Sequence, residues 1–221
     1  MAPPMPPSIA ARTAARLRDG GAATVNELSR ELELSRSSVE NAVGLLSGLG
    51  LVVEGTVKNG RGAGRPARRH RFAESAGTVV GVDVGAASVR VVVADLAGAV
   101  LVQRDYRGIA DAPGAARKLA AVVADIRRTV DEAGGTVSAV RAVGVSLPAI
   151  VDGDGHVIAS VIIPEWSGVE VGAHLERALN CPIAVDNGVR NAAVAEHHLG
   201  AAQLIGTVLS FASSSIASAL Y

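Results

Sequence analysis

Aromatic side chains are nearly absent: one Trp, two Tyr and two Phe among 221 residues. A core without rings must be filled by Val, Ala, Leu and Ile, whose shapes suit close-packed α/β layers. Cysteine is as scarce. Cys181 stands alone, which excludes an internal disulfide and a cysteine-built zinc site and fits a small buried apolar residue in a reducing compartment. No apolar run approaches the roughly 18 residues of a membrane span. The opening "MAPPMPPSIAARTAAR" has no apolar signal-peptide centre, so a cytoplasmic location without membrane attachment is expected. Its prolines read as a disordered leader over residues 1–8.

Net charge is missing too, with 21 basic and 21 acidic side chains. The neutrality conceals an asymmetry: Met1 to Phe72 carries +5 and Ala73 to Tyr221 carries −5. A length of 221 residues suggests one large or two small domains. A basic smaller part joined to an acidic larger part points to a nucleic-acid module carrying something else.

The basic part reads as three helices. "SIAARTAARLRDGG" sets Ile9, Ala10, Thr13, Ala14 and Leu17 near helical spacing and stops at Gly20-Gly21. In "TVNELSRELE", Thr24 and Glu27 have the spacing of a capping box, and Val25, Leu28 and Leu32 line one face. In "LSRSSVENAVGLLSGLGLV", Leu34 is a connector and Ser35 an N-cap. Val39, Val43, Leu46 and Leu49 form the inward stripe, and Gly50 is the C-cap. A short helix, a tight turn and a longer helix are the layout of a DNA-reading helix-turn-helix. Arg36, Ser37, Ser38 and Asn41, at the start of the longer helix, are the candidates for base contacts, being short or fork-shaped donors.

"NGRGAGRPARRHR" follows, with five arginines in eleven residues, Lys58 just before them and no acid from Gly55 to Ala73. The β-formers Val52-Val53 and Phe72 flank this glycine-rich tip, so the segment reads as a hairpin, a wing. Glycine lets a backbone approach phosphate, and arginine offers a forked donor suited to phosphate or a narrow minor groove. Lys58, Arg61, Arg65, Arg68 and Arg69 are the candidate DNA-backbone contacts. Residues 9–74 are thus expected to form a winged helix-turn-helix.

Residues 77–221 read differently. "TVVGVDVGAASVRVVVADLAGAVLVQRDY" is rich in valine and alternates as two or three antiparallel strands, with turns at Gly85-Ala86 and Ala97-Gly98. A helix ends at Gly134-Gly135. A buried strand in "VRAVGVSLPAIVDGDGHVIAS" turns at Pro148 into a short hairpin around Asp152–Gly155. Then come a helix in "GVEVGAHLERALNC", a strand "PIAVD", a helix "NGVRNAAVAEHHLGAA" and a final strand pair from "GTVLSFASSSIASALY".

"GAGRPARRHRF", "GVDVGAASVRVVVADLAG", "VGVSLPAIVDGDGHV" and "IIPEWSGVEVGAHLERALNCPIAVDNGVRNAAVAE" together resemble the ROK family of repressors and sugar kinases, specifically its transcriptional-regulator branch. The resemblance covers residues 9 to 221. It implies a mixed α+β and α/β fold, with a winged helix-turn-helix followed by one lobe of an actin-like, sugar-kinase-type ATPase. The chain stops at Tyr221, so the resemblance also implies that the second lobe, with its sugar ligands and zinc motif, is missing.

The same resemblance argues against catalysis. The family's catalytic Asp place holds Gly188, which has no side chain to accept a proton. Asp186 takes a neighbouring place but, at a helix start, points elsewhere. The first phosphate loop keeps Asp83 and Gly85 but has Ala86-Ala87-Ser88 where Gly-Thr is usual. The second has Ser213, Ser215 and Ser218 near glycine places, whose β-carbons block close approach. Of the family's sugar-side residues Trp166 and Asn187 remain, while Ile162 and Glu165 replace Asn and Gly. A polar site lacking partners loses affinity steeply. His174, His197 and His198 do not match the zinc motif and read as surface helix residues; Asp152 and Asp154 read as a turn.

The expected function is therefore a DNA-binding regulator, a repressor of sugar-metabolism genes, without cofactor or kinase activity. Its expected partners are double-stranded operator DNA, a sugar or phosphosugar effector and a second copy of itself, in the nucleoid. The alternatives are a sugar kinase with a DNA-binding leader, and a remnant that binds DNA without sequence preference.

Overall fold

The computed structural model describes residues 8–55 and 68–199. Residues 1–7 of the leader, the hairpin tip with Lys58, Arg61 and Arg65, and the final strand pair with Ser213, Ser215 and Ser218 lie outside the described residues. The chain divides into two compact units, Met1–Ala76 and Gly77–Tyr221.

In the N-terminal unit, α1 (Ile9–Gly20) starts where Ser8 Oγ accepts the N–H of Ala11 at 3.2 Å. It ends where Gly21 takes φ +73°, a conformation glycine adopts without strain. A two-residue strand β1 (Ala23–Thr24) leads directly into α2 (Val25–Leu32). Both halves of the capping box form: Thr24 Oγ1 accepts the N–H of Glu27 at 3.2 Å, and Glu27 Oε2 accepts the N–H of Thr24 at 2.7 Å. Glu33, at φ +54°, turns the chain toward α3 (Arg36–Gly48). Ser35 is its N-cap, its Oγ accepting the N–H of Ser38 at 3.1 Å.

The strands β2 (Val52–Gly55) and β3 (Arg69–Phe72) form the hairpin stem, and β1 adds to its other side, giving the antiparallel order β1-β3-β2. Two residues carry no periodicity, so β1 was not legible in the sequence. Leu17, Leu28, Val39, Val43, Leu46, Val52 and Phe72 are buried together. Two expected core residues are not. Ile9 is exposed because it opens α1. Leu49 still donates its N–H to the Leu45 carbonyl at 3.1 Å, but it lies at the edge of the buried stripe of Val39, Ala42, Val43 and Leu46 and is exposed. Leu49 is the C-cap, and Gly50 follows it at φ +72°, donating its N–H to the Ser47 carbonyl at 3.0 Å.

The C-terminal unit is built on a five-stranded mixed sheet. Its strands are β4 (Thr78–Val84), β5 (Ser88–Asp95), β6 (Val100–Arg107), β7 (Val140–Leu147) and β10 (Ile183–Asn187), in the order β10-β7-β4-β5-β6. The pairs β10–β7 and β7–β4 are parallel, and β4–β5 and β5–β6 antiparallel. Two helices, α4 (Gly114–Glu132) and α5 (Val171–Leu179), pack on the sheet. One sheet face is almost all valine: Val80, Val82, Val84, Val89, Val91, Val93, Val143 and Val145 are each at most 3% exposed. Leu119, Val122, Ile126 and Val130 of α4 and Val171, Leu175 and Leu179 of α5 complete that core. Each such side chain contributes about 1.5–3 kcal/mol by leaving water.

A short hairpin, β8 (Ile150–Val151) with β9 (Val157–Ala159), follows β7, and α6 (Gly188–Leu199) follows β10. Lys118 of α4, 5% exposed, donates its Nζ to the carbonyls of Ile109 at 2.8 Å and Ala110 at 3.1 Å. It thereby closes the loop before α4, since a buried ammonium must find acceptors. His174 and His197 are half-buried rather than fully at the surface, because the faces of α5 and α6 that carry them are partly covered.

Thr24→Ala is expected to destabilise the N-terminal unit by about 1 kcal/mol in chemical denaturation, the usual cost of losing an N-cap. The backbone N–H of Thr24, aided by Arg69, holds the Glu27 carboxyl below its ordinary range. Its stabilising contribution is therefore present above that range and lost as pH falls through the lowered value. Glu27→Gln should flatten the acid side of a stability-versus-pH curve, leaving a smaller loss on acidification than in the parent chain.

Candidate functional site

The N-terminal unit presents the start of α3. Arg36, Ser37 and Asn41 are exposed there and Ser38 is half-buried. The Ser37 and Ser38 hydroxyls lie 3.0 and 2.8 Å from Ser35 Oγ, so both take part in the cap. Arg36 donates its Nε to Glu40 at 2.8 Å, one turn along, and its terminal N–H groups remain open. On the hairpin stem Arg68 donates to Glu54 at 2.8 Å, with its side chain 67% exposed.

Arg69, expected to hold DNA phosphate, is engaged within the unit. It donates to the Ala22 carbonyl at 2.6 Å and to Glu27 Oε1 at 3.3 Å, tying β3 to the capping carboxylate of α2. The pairing of β1 with β3 causes this, setting Thr24 opposite Arg69.

In the C-terminal unit two depressions share Asp83. One, of about 480 Å³, is lined by Asp83, Gly85, Pro148, Ile162, Asn187 and Gly188 among others. The other, of about 380 Å³, lies over Gly81, Asp83, Gly144, Ser146 and Asp186, on alternate strand positions. Of the expected phosphate and sugar residues, Asp83, Gly85 and Asn187 meet in the first. Asp186 belongs to the second. It stands near the end of β10 rather than at a helix start, since the helix begins only at Gly188. Its Oδ1 accepts the N–H of Asn187 at 2.6 Å and pairs with Arg190 at 3.1 Å.

Trp166, expected at a sugar site, is 1% exposed and belongs to the core. In a chain with so few rings, its bulk fills the space under the turn Pro164–Trp166. Asn187 lines the cavity, yet its carboxamide is engaged at both ends. Oδ1 caps α6, accepting the N–H of Val189 at 2.8 Å and of Arg190 at 3.4 Å, while Nδ2 donates to the Ala149 carbonyl at 2.6 Å. A β-carbon at Gly188 would lie 3.2 Å from Ser146 Oγ, so a side chain at that place would need the serine hydroxyl to shift slightly. The Gly85 N–H bonds the Ser88 carbonyl at 2.8 Å, closing the β4–β5 turn.

Asp152, Asp154 and His156 offer ligand atoms within 4.8 Å of one another. The Asp152 carboxylate is engaged by the turn itself, accepting the N–H groups of Asp154 and His156 at 2.9 Å each. These bonds, that of His156 foremost, hold its carboxyl below the usual range. Cys181 is buried, and burial pushes its thiol up. None of the described helices is long and apolar enough to cross a membrane.

Asn187→Ala should cost about 1–2 kcal/mol in chemical denaturation, because α6 loses its cap. Asn187→Asp, which keeps the capping oxygen, should cost less; equal losses would show that the cap is unimportant.

The fold has known counterparts. A ROK family transcriptional regulator, a homologue of the E. coli MLC protein, superposes with a TM-score of 0.73 at 22% identity, over 88% of this chain and 48% of its own. A ROK hexokinase from Thermus thermophilus superposes with a TM-score of 0.50 at 30% identity, over 57% of this chain and 40% of its own. The present chain thus spans about half the length of the regulator and less of the hexokinase. No curated protein sequence matches it. The model of the ROK family matches residues 79–213, more than half of the sequence, and the chain belongs to that family.

Proposed function

We propose that the chain is a DNA-binding transcriptional repressor of the ROK type, acting as a homodimer at operator DNA in the nucleoid and without kinase activity. The N-terminal unit is a winged helix-turn-helix, with α2 and α3 as the paired helices and β2–β3 as the stem of the wing. The observation that carries the reading is the exposed start of α3, with Arg36, Ser37 and Asn41 open beside a basic hairpin. Two superpositions support it. The one on the regulator covers 88% of the chain and so must extend into the N-terminal unit, whereas the one on the hexokinase, at 57%, is small enough to lie within the C-terminal unit.

In this reading Arg36, Ser37, Ser38 and Asn41 meet base edges, and Lys58, Arg61, Arg65 and Arg68 meet the DNA backbone or minor groove. The C-terminal unit is the dimerisation scaffold. Its depression beside Asp83 and Gly85 receives a sugar or phosphosugar effector that releases genes of sugar metabolism.

The lack of kinase activity rests on what the cavity offers. Phosphoryl transfer to a hydroxyl needs a carboxylate within hydrogen-bond reach of that hydroxyl. The place where the family has its catalytic Asp is Gly188; Asp186 lines the other depression and is paired with Arg190. The turn before β5 has already engaged the Gly85 amide.

Fluorescence-anisotropy binding to random duplexes, repeated across a salt series with the bound fraction sequenced, tests the regulator reading. A steep salt dependence with an enriched palindrome is expected; a steep dependence with no enriched motif would mean a remnant that binds charge alone. Arg65→Ala should weaken binding to all sequences and lower the salt slope by about one. Asn41→Ala should instead shift the preferred base at one position, at about 1–3 kcal/mol of discrimination. ADP release with glucose and ATP should stay at background for both the parent chain and Gly188→Asp; sugar-dependent turnover by the parent would overturn the non-catalytic reading.

A further inference from the structure

Between the two paired helices and the hairpin stem lies a depression of about 240 Å³, lined by Thr24, Val25, Asn26, Arg36, Glu40, Arg68 and His70. It gathers donors of three kinds. The first turn of the eight-residue helix α2 opens onto it. The capping box uses the N–H groups of Thr24 and Glu27, leaving those of Val25 and Asn26 as the donors at the positive end of the helix. Arg36 and Arg68, each 67% exposed, stand on its rim with one guanidinium bond apiece, so most of their N–H groups are open. Finally, His70 is 9% exposed, and its Nδ1 finds no hydrogen-bond partner among the described residues. A buried polar nitrogen left unpaired is costly, and the ring that carries it lines the depression.

We propose that this depression seats one backbone phosphate of DNA, held by the Val25 and Asn26 amides, the Asn26 side chain, Arg36, Arg68 and the His70 imidazole, which assigns Arg36 to the backbone and leaves Ser37, Ser38 and Asn41 to the bases. The inference rests on the DNA-binding reading and deepens it. It assigns a fixed anchor, built from α2 and β3, that sets how deeply α3 enters the groove. A tetrahedral oxyanion suits the set better than a carboxylate, because the donors converge from a helix end, two forks and a ring.

The one acid on the rim, Glu40, is the internal stand-in: it occupies Arg36 while the seat is empty and must give it up when phosphate arrives. Arg68 makes the same exchange with Glu54. In the free protein each guanidinium has a carboxylate partner, so the seat carries little net charge and gains its attraction for phosphate only as those pairs open.

That exchange gives a signature that a merely structural role does not. Glu40→Gln removes the competitor and should raise affinity for DNA of any sequence by about threefold to tenfold. Asn26→Ala and His70→Gln should lower it by about tenfold each, equally for preferred and random duplexes, with the sequence preference unchanged. Asn26 is exposed, so its substitution leaves the fold standing should His70→Gln disturb it. In the 15N-labelled full chain, a titration with inorganic phosphate should move the Val25 and Asn26 amides and the His70 ring saturably. If the parent chain binds DNA but Asn26→Ala and Glu40→Gln bind as it does, and phosphate moves none of these signals, the seat is overturned and the DNA reading stands. If the parent chain binds no duplex at any salt, both fall together.

Discussion

Valine burial on one face of the central sheet is the constraint on which the C-terminal unit depends. The chain has almost no rings to fill space, so many small β-branched side chains must pack closely against α4 and α5. β-branched residues favour strands, and their alternation sets which face is inside. Shifting β4 by one residue would bring Gly81 and Asp83 inward and expel Val80, Val82 and Val84. The same alternation puts Asp83 and Ser146 on the opposite face and leads β4 into the Gly85 turn. The candidate cavity is therefore a by-product of the register that the core demands.

The N-terminal unit solves a different problem. It is small, and its helices are short, so their ends matter as much as their faces. Ser8, Thr24 and Ser35 cap three successive helices. Arg69 then joins the sheet to the capping carboxylate of α2, so that the strand and the helix hold each other. This network leaves the exposed start of α3 and the first turn of α2 beside the hairpin stem.

Several residues resembling parts of a sugar site are occupied with folding. Asn187 caps α6 and ties down Ala149, Asp186 pairs with Arg190, and Trp166 fills the core. These assignments keep such residues in place whether or not a ligand is bound. Their presence in a motif is thus weak evidence for binding, and the reading without catalysis rests on Gly188, where the side chain itself is lacking.

The sequence by itself determined the family, the two-part organisation of charge, the order of helices and strands, and the caps at Thr24 and Ser35. All of these depend on local periodicity, local hydrogen bonding or recognisable motifs. Only the tertiary structure decided matters of long-range pairing. The two-residue strand β1 became visible through its partner β3, and with it the structural role of Arg69. Leu49 proved exposed, at the edge of the stripe that α3 buries. His70 lies in the basic run and Asn26 on α2; they line one depression with Arg36 because the hairpin stem packs back onto the start of the two helices. Residues distant in sequence share a site only when the fold brings their backbones together, and no periodicity records that.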